Sequence, residues 1–143
     1  MPTEIQERCD AIEECYEFTL SYAALGLPTD EGSPQGKQLR HQMDRAVEAM
    51  RGLEQSYQAG IKQEELEPAG PYDAFLPILA HDAENARAAF ELVLAQPGIS
   101  SQLIDNLNAS MHVRALLTDL FLVTEILQAH QARQSQPVLR ETE

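Results

Sequence analysis

Six apolar residues, Leu39, Met43, Ala46, Met50, Leu53 and Tyr57, recur at alternating steps of four and three. That spacing keeps all six on one side of an α-helix. A strand cannot use it, because strand side chains alternate with a period of two. Three other segments carry a similar period. Ile5, Cys9, Ile12, Tyr16, Leu20 and Ala23 form one stripe, and Leu76, Leu79, Ala83, Ala86, Phe90 and Val93 form another. The last is richer: Leu103, Ile104, Leu107 and Met111 are followed by Leu116, Leu120, Val123 and Leu127. The spacing predicts four long helices over about 3–25, 35–59, 73–96 and 101–132.

The punctuation agrees. Thr3 is placed to cap the first helix, with glutamates following in its first turn. The run Gly26–Gly36 is too rich in Gly and Pro to continue it. Gly60 reads as the stop of the second helix. Asp73 reads as the cap of the third, which places Pro77 in a first turn where no intrahelical donor is lost. Pro97-Gly98 ends it, and Ser100 caps the fourth, with Ile99 and Ile104 as a hydrophobic staple. The expected fold is all-α, an antiparallel four-helix bundle with a long C-terminal helix. Residues 1–132 form its single domain, and 133–143 form a mobile polar tail. With no Trp and eight Phe and Tyr residues in 143, the core has to be largely aliphatic.

The fourth segment asks for more cover than one bundle supplies. Its first-half stripe and its second-half stripe lie on nearly opposite sides, and Leu117, Phe121, Leu122 and Ile126 fill much of the rest. A helix apolar all round needs burial all round. A second copy, seated on Leu116, Leu120, Val123 and Leu127, is the expected cover. Arg114, Thr118 and Glu125 continue the first-half stripe into this apolar stretch. Arg114 and Glu125 are therefore expected as buried polar residues in need of partners. A break near Asn106–Ser110 is the alternative to a continuous helix.

Formal net charge is −13, with eight acids and one base over residues 1–31 and eight acids and two bases over 54–91. Such a surface repels phosphate backbones and anionic lipid, which argues against nucleic acid and membrane as partners. It favours a basic protein. The start Met-Pro-Thr-Glu has neither a basic nor an apolar run, and the most apolar stretch, Ala115–Leu127, is too short and too polar to span a bilayer. Cys9 and Cys15 are six apart and cannot readily bridge, so a reducing, cytoplasmic setting is expected. No closed zinc spacing occurs, and the pair His81-x-x-Glu84 reverses the order a di-iron bundle uses. No cofactor is expected.

Two strings resemble known families. His81-Asp82-Ala83-Glu84-Asn85 resembles the phosphoacceptor helix of histidine phosphotransfer proteins, in which an exposed His is followed by an acid and, four positions on, by Asn or Thr. The resemblance implies a phosphorelay intermediate with His81 as acceptor and Asp82 and Asn85 beside it. Glu84 stands where a base often helps the incoming phosphate. Separately, Glu13-Glu14-Cys15-Tyr16-Glu17 resembles the magnesium-binding helix of all-α nucleotide pyrophosphohydrolases. That implies a metal site of Glu13, Glu14 and Glu17 completed by Asp44, with His41 where a Glu is usual. Every strong pattern is otherwise spent on packing. The chain therefore reads first as a noncatalytic interaction, adaptor or assembly protein, dimeric through its fourth helix.

Overall fold

The computed structural model describes residues 3–135. Among them the regular structure is all helical: α1 (Glu4–Ala24), α2 (Pro34–Arg51), α3 (Leu53–Gln63), α4 (Ala69–Leu94), α5 (Ser101–Ala109) and α6 (Met111–Gln134). None of these helices is long and apolar enough to cross a membrane. Helix α6 takes in the first two residues of the expected mobile tail, and 136–143 lie outside the described residues.

Helix α1 packs against α2, α3, α5 and α6. It starts with a capping box. Gln6 N donates to Thr3 Oγ1, and Thr3 N donates to Gln6 Oε1 at 2.9 Å. With neighbours on several sides, α1 buries more than one stripe. Cys9 and Cys15 are both free and fully buried, although six residues apart. Leu20, on the expected stripe, is instead 48% exposed, and Thr19 and Tyr22 are buried in its place. Burial pushes both thiols up to about 12; Glu13 and Asp10 add to the shift at Cys9, and Arg45 opposes it at Cys15. Neither thiol is a nucleophile at neutral pH.

The second predicted helix is two. All six of its stripe residues are buried as spaced, but α2 ends at Gly52 and α3 begins at Leu53. Arg8 on α1 meets the break. Its Nη1 donates to Glu48 O at 3.0 Å and Ala49 O at 3.2 Å, satisfying carbonyls that the helix end leaves unpaired. A Cβ at position 52 would collide with that guanidinium. Gly60 is not a stop but lies inside α3, where a Cβ would stand 3.0 Å from Ile5 Cγ2. Helix α4 starts four residues earlier than the periodicity implied, so Asp73 is internal rather than a cap. Pro77 sits beyond the first turn, and both it and Asp73 are exposed.

One end of the molecule is held by a polar clasp. Asp30, in the α1–α2 connection, is buried. It accepts from Arg40 Nε at 2.6 Å and from Ile99 N at 2.7 Å. Arg40 also donates to Leu94 O at 3.1 Å and Gln96 O at 3.0 Å, the carbonyls at the end of α4. Burial alone would raise the Asp30 carboxyl, but its bonds from Arg40 and Ile99 outweigh that and hold it below its usual range. Tyr22 Oη donates to Ile99 O, and Ser101 Oγ donates to Tyr22 O, each at 2.7 Å.

The fourth predicted helix is also two. Ser110 leaves helical geometry at ψ 147°, closing α5 and capping α6 through its hydroxyl, which accepts from Val113 N. This break answers the puzzle of two opposed stripes. Each half is a separate helix, and most of each stripe faces the chain's own interior, with Met111 the exception at 81% exposed. Ile104 and Leu107 of α5 are buried, and so are Leu116, Leu120, Val123 and Leu127 of α6.

Candidate functional site

Helix α6 packs against α1, α4 and α5. Its inward side is filled. Leu116, Leu120, Val123 and Leu127 are between 0% and 5% exposed within the single chain, so they belong to its core and not to a seam with a second copy. Arg114 and Glu125, expected to be buried, are exposed, as is Thr118. The reason is the same break. Once α6 starts anew at Met111, the line through 114, 118, 121 and 125 points away from α1, α4 and α5.

That outward side is not simply polar. Met111 is 81% exposed, and Phe121, Leu122 and Ile126 are 51%, 50% and 42% exposed. Leu122 and Ile126 also form one wall of an apolar groove of about 320 Å³, with Val123 behind them and Pro68, Pro71, Tyr72 and Phe75 of the α4 side opposite. Exposed apolar residues scattered singly are ordinary, as Leu20 and Leu92 are here. Phe121, Leu122 and Ile126 cluster within two turns of α6 beside the apolar groove, a grouping of the kind that marks a binding surface.

On the flank of α6 toward α4 stands the most perturbed carboxyl among the described residues. Asp119 is 6% exposed, and its Oδ2 finds no hydrogen-bond partner among the described residues. Its neighbour is Asp82 on α4. Two carboxylates can hydrogen-bond only when one carries a proton. Burial first, then the bond and charge of Asp82, push Asp119 up to about 8. The shift favours the protonated form of Asp119 beside Asp82. Among the described residues neither carboxyl makes an ion pair. A second groove, of about 340 Å³, lies between Met50–Gln55 and Ala80–Arg87. Both of its arginines are engaged by Glu91 beyond the groove, Arg87 Nη1 at 2.7 Å and Arg51 Nη2 at 3.7 Å.

The two resemblances gain no partner groups from the fold. His81 is exposed on α4, but Asp82, which should serve its proton, is turned to Asp119 and half-buried, as is Asn85. Exposed Glu84 is the neighbouring charge on the same helix. Among the acids of the second string, Glu13 is half-buried and its carboxyl is raised by burial and by Asp10 and Glu17. Glu14 pairs with Arg45 at 3.4 Å, and Glu17 and Asp44 are exposed. Among the described residues no three His, Cys, Asp or Glu side chains converge as metal ligands, so Glu13, Glu14, Glu17 and Asp44 do not assemble the expected site.

Asp119 and the outward set Phe121, Leu122 and Ile126 are what periodicity alone missed. Their orientation depends on the phase of α6, and that phase is set by Ser110. The available signal was the Asn108-Ala109-Ser110 cluster, residues that favour caps over helix interiors. No protein family, curated protein or solved structure matches the chain.

Proposed function

We propose that the chain is a noncatalytic interaction or assembly protein of the cytoplasm, homodimeric, with the outward side of α6 and the adjoining α4 groove as its docking surface. In this reading the helices form one antiparallel bundle. The broken pairs α2–α3 and α5–α6 each stand for one of four long helices. The observation that carries it is the patch itself: Met111, Phe121, Leu122 and Ile126 lie bare on one helix whose other sides are packed. A lone domain gains nothing from leaving a Phe and three aliphatic side chains in water, whereas an interface gains their burial. The strongly negative remainder of the surface keeps nucleic acid and anionic membranes away and favours a basic protein where a second partner joins. Buried free thiols suit a reducing compartment.

The test is mass in solution. Light scattering or sedimentation at micromolar concentration should give twice the 15.9 kDa of one chain. Phe121→Glu should bring it to one chain with the helical circular dichroism unchanged, because the side chain replaced is half in water already. A wild-type mass of one chain would overturn the proposal.

A further inference from the structure

The outward side of α6 carries a charge pattern that constrains how a second copy sits on it. Arg114, Thr118, Phe121 and Glu125 follow steps of four, three and four, so they form a single line along the helix. All four are exposed. Arg114 and Glu125 close the two ends of this line, and neither makes an ion pair among the described residues. They cannot pair with each other in one chain. Eleven residues at 1.5 Å apiece separate them by about 16 Å.

We infer that two copies pair through antiparallel α6 helices, each placing its Arg114 opposite Glu125 of the partner subunit. This rests on the homodimer reading above and adds its orientation and register. A two-fold axis midway between positions 119 and 120 exchanges 114 with 125 and 118 with 121. The line is therefore its own complement, which a two-fold interface requires. Phe121 of each copy then lies over Thr118 of the partner subunit at the centre, where the small side chain leaves room for the ring. The two ion pairs flank this apolar centre, and Met111 meets Gln128 of the partner subunit beyond them. Leu122 borders the line on the side of the α4 groove.

Charge decides between the two possible orientations. A parallel arrangement stacks Arg114 on Arg114 and Glu125 on Glu125, repulsive at both ends. The antiparallel one is attractive at both. This matters more than usual here, because each copy brings a net charge of −13 and repels the other over most of its surface. A seam holding one base and one acid per copy is locally neutral, and crossing them turns the only fixed charges on the line into contacts. Like charges set face to face are an effective bar to a wrong register.

The test is a charge-swap series on the full chain: wild type, Arg114→Glu, Glu125→Arg, and both together, with dimer dissociation constants from sedimentation at low salt. All replaced side chains are exposed, and circular dichroism checks that each variant stays helical. Each single swap creates two like-charge contacts and should weaken the dimer at least tenfold, an effect that shrinks in 1 M salt. The double swap restores both pairs and should return to within about threefold of wild type. Mixing the two single variants should likewise give a heterodimer of near wild-type strength. A wild-type dimer that ignores the single swaps, or a double swap that stays weak, overturns the antiparallel register and leaves the dimer standing. A wild-type monomer overturns the self-association beneath it.

Discussion

The clasp at one end of the molecule and the α4–α6 face treat buried polarity in opposite ways. In the clasp, Asp30, Arg40, Tyr22 and Ser101 each have a hydrogen-bond partner, and those partners come from segments far apart in the chain. At the α4–α6 face, Asp119 is as buried as Asp30 but meets another carboxyl instead of a cation, and a bare apolar patch lies beside it. The first pattern ties the connections of a fold together. The second leaves apolar surface in water and a buried carboxyl beside another carboxyl. A completed polar network is costly to disturb, whereas an incomplete one is tolerant, and the two regions should differ in that way when mutated.

The largest effect should come from the clasp. Replacing Arg40 by Ala leaves Asp30 buried without its cation and frees the carbonyls of Leu94 and Gln96. Breaking a buried pair from one side is expected to cost about 3 kcal/mol in chemical denaturation. A loss under about 0.5 kcal/mol, the size of an exposed ion pair, would erase the distinction drawn between the regions.

The two sides of α6 sharpen the contrast next. Leu120 is fully buried and Phe121 is half in water. Leu120→Ala removes core packing and should cost about 2–4 kcal/mol in unfolding. Phe121→Ala should cost under about 1 kcal/mol in the same measurement, made dilute enough that association does not contribute. Equal losses would mean that the outward side of α6 is covered within the chain.

How much of this could be read from the residues follows the reach of each interaction. The stripe from Leu39 to Tyr57, the Thr3 cap and the Ser100 cap depend on neighbours within a few positions, and the coordinates reproduce them. The break at Gly52 interrupts a pattern that continues unbroken in the sequence, whereas the one at Ser110 falls where the apolar stripe changes sides. At Gly52 the break is met by a guanidinium arriving from α1, more than forty positions away. Gly60 looked like a terminator, yet its lack of a side chain serves the approach of Ile5. The greatest consequence came at Ser110. A single residue leaving helical geometry rotates α6, so that Leu116, Leu120, Val123 and Leu127 turn inward while Arg114 and Glu125 turn outward. The four residues expected at a seam are therefore part of the chain's own core. The clasp was invisible for the same reason as Arg8, since nothing near Asp30 in the chain announces Arg40 or Ile99.

The smallest effect is the most specific to the α4–α6 face, and its sign depends on pH. Asp119 has a folded pKa raised to about 8 against an unfolded value near 3.8. Between those values the folded chain holds a proton that the unfolded chain releases. Stability from this site is therefore fully present below about pH 4, falls through the window and is gone above about pH 8. Asp119→Asn removes the titration at this position. The difference in unfolding free energy between variant and wild type should thus grow with pH and favour the variant. The clasp supplies the control. Asp30 has its pKa lowered, so its contribution is present above its unfolded pKa and lost as the pH falls through its still lower folded value. Asp30→Asn should change the unfolding free energy with the opposite pH trend. Parallel trends for the two variants would mean that Asp119 is compensated by a charge of its own, and the contrast between a finished and an unfinished polar site would disappear.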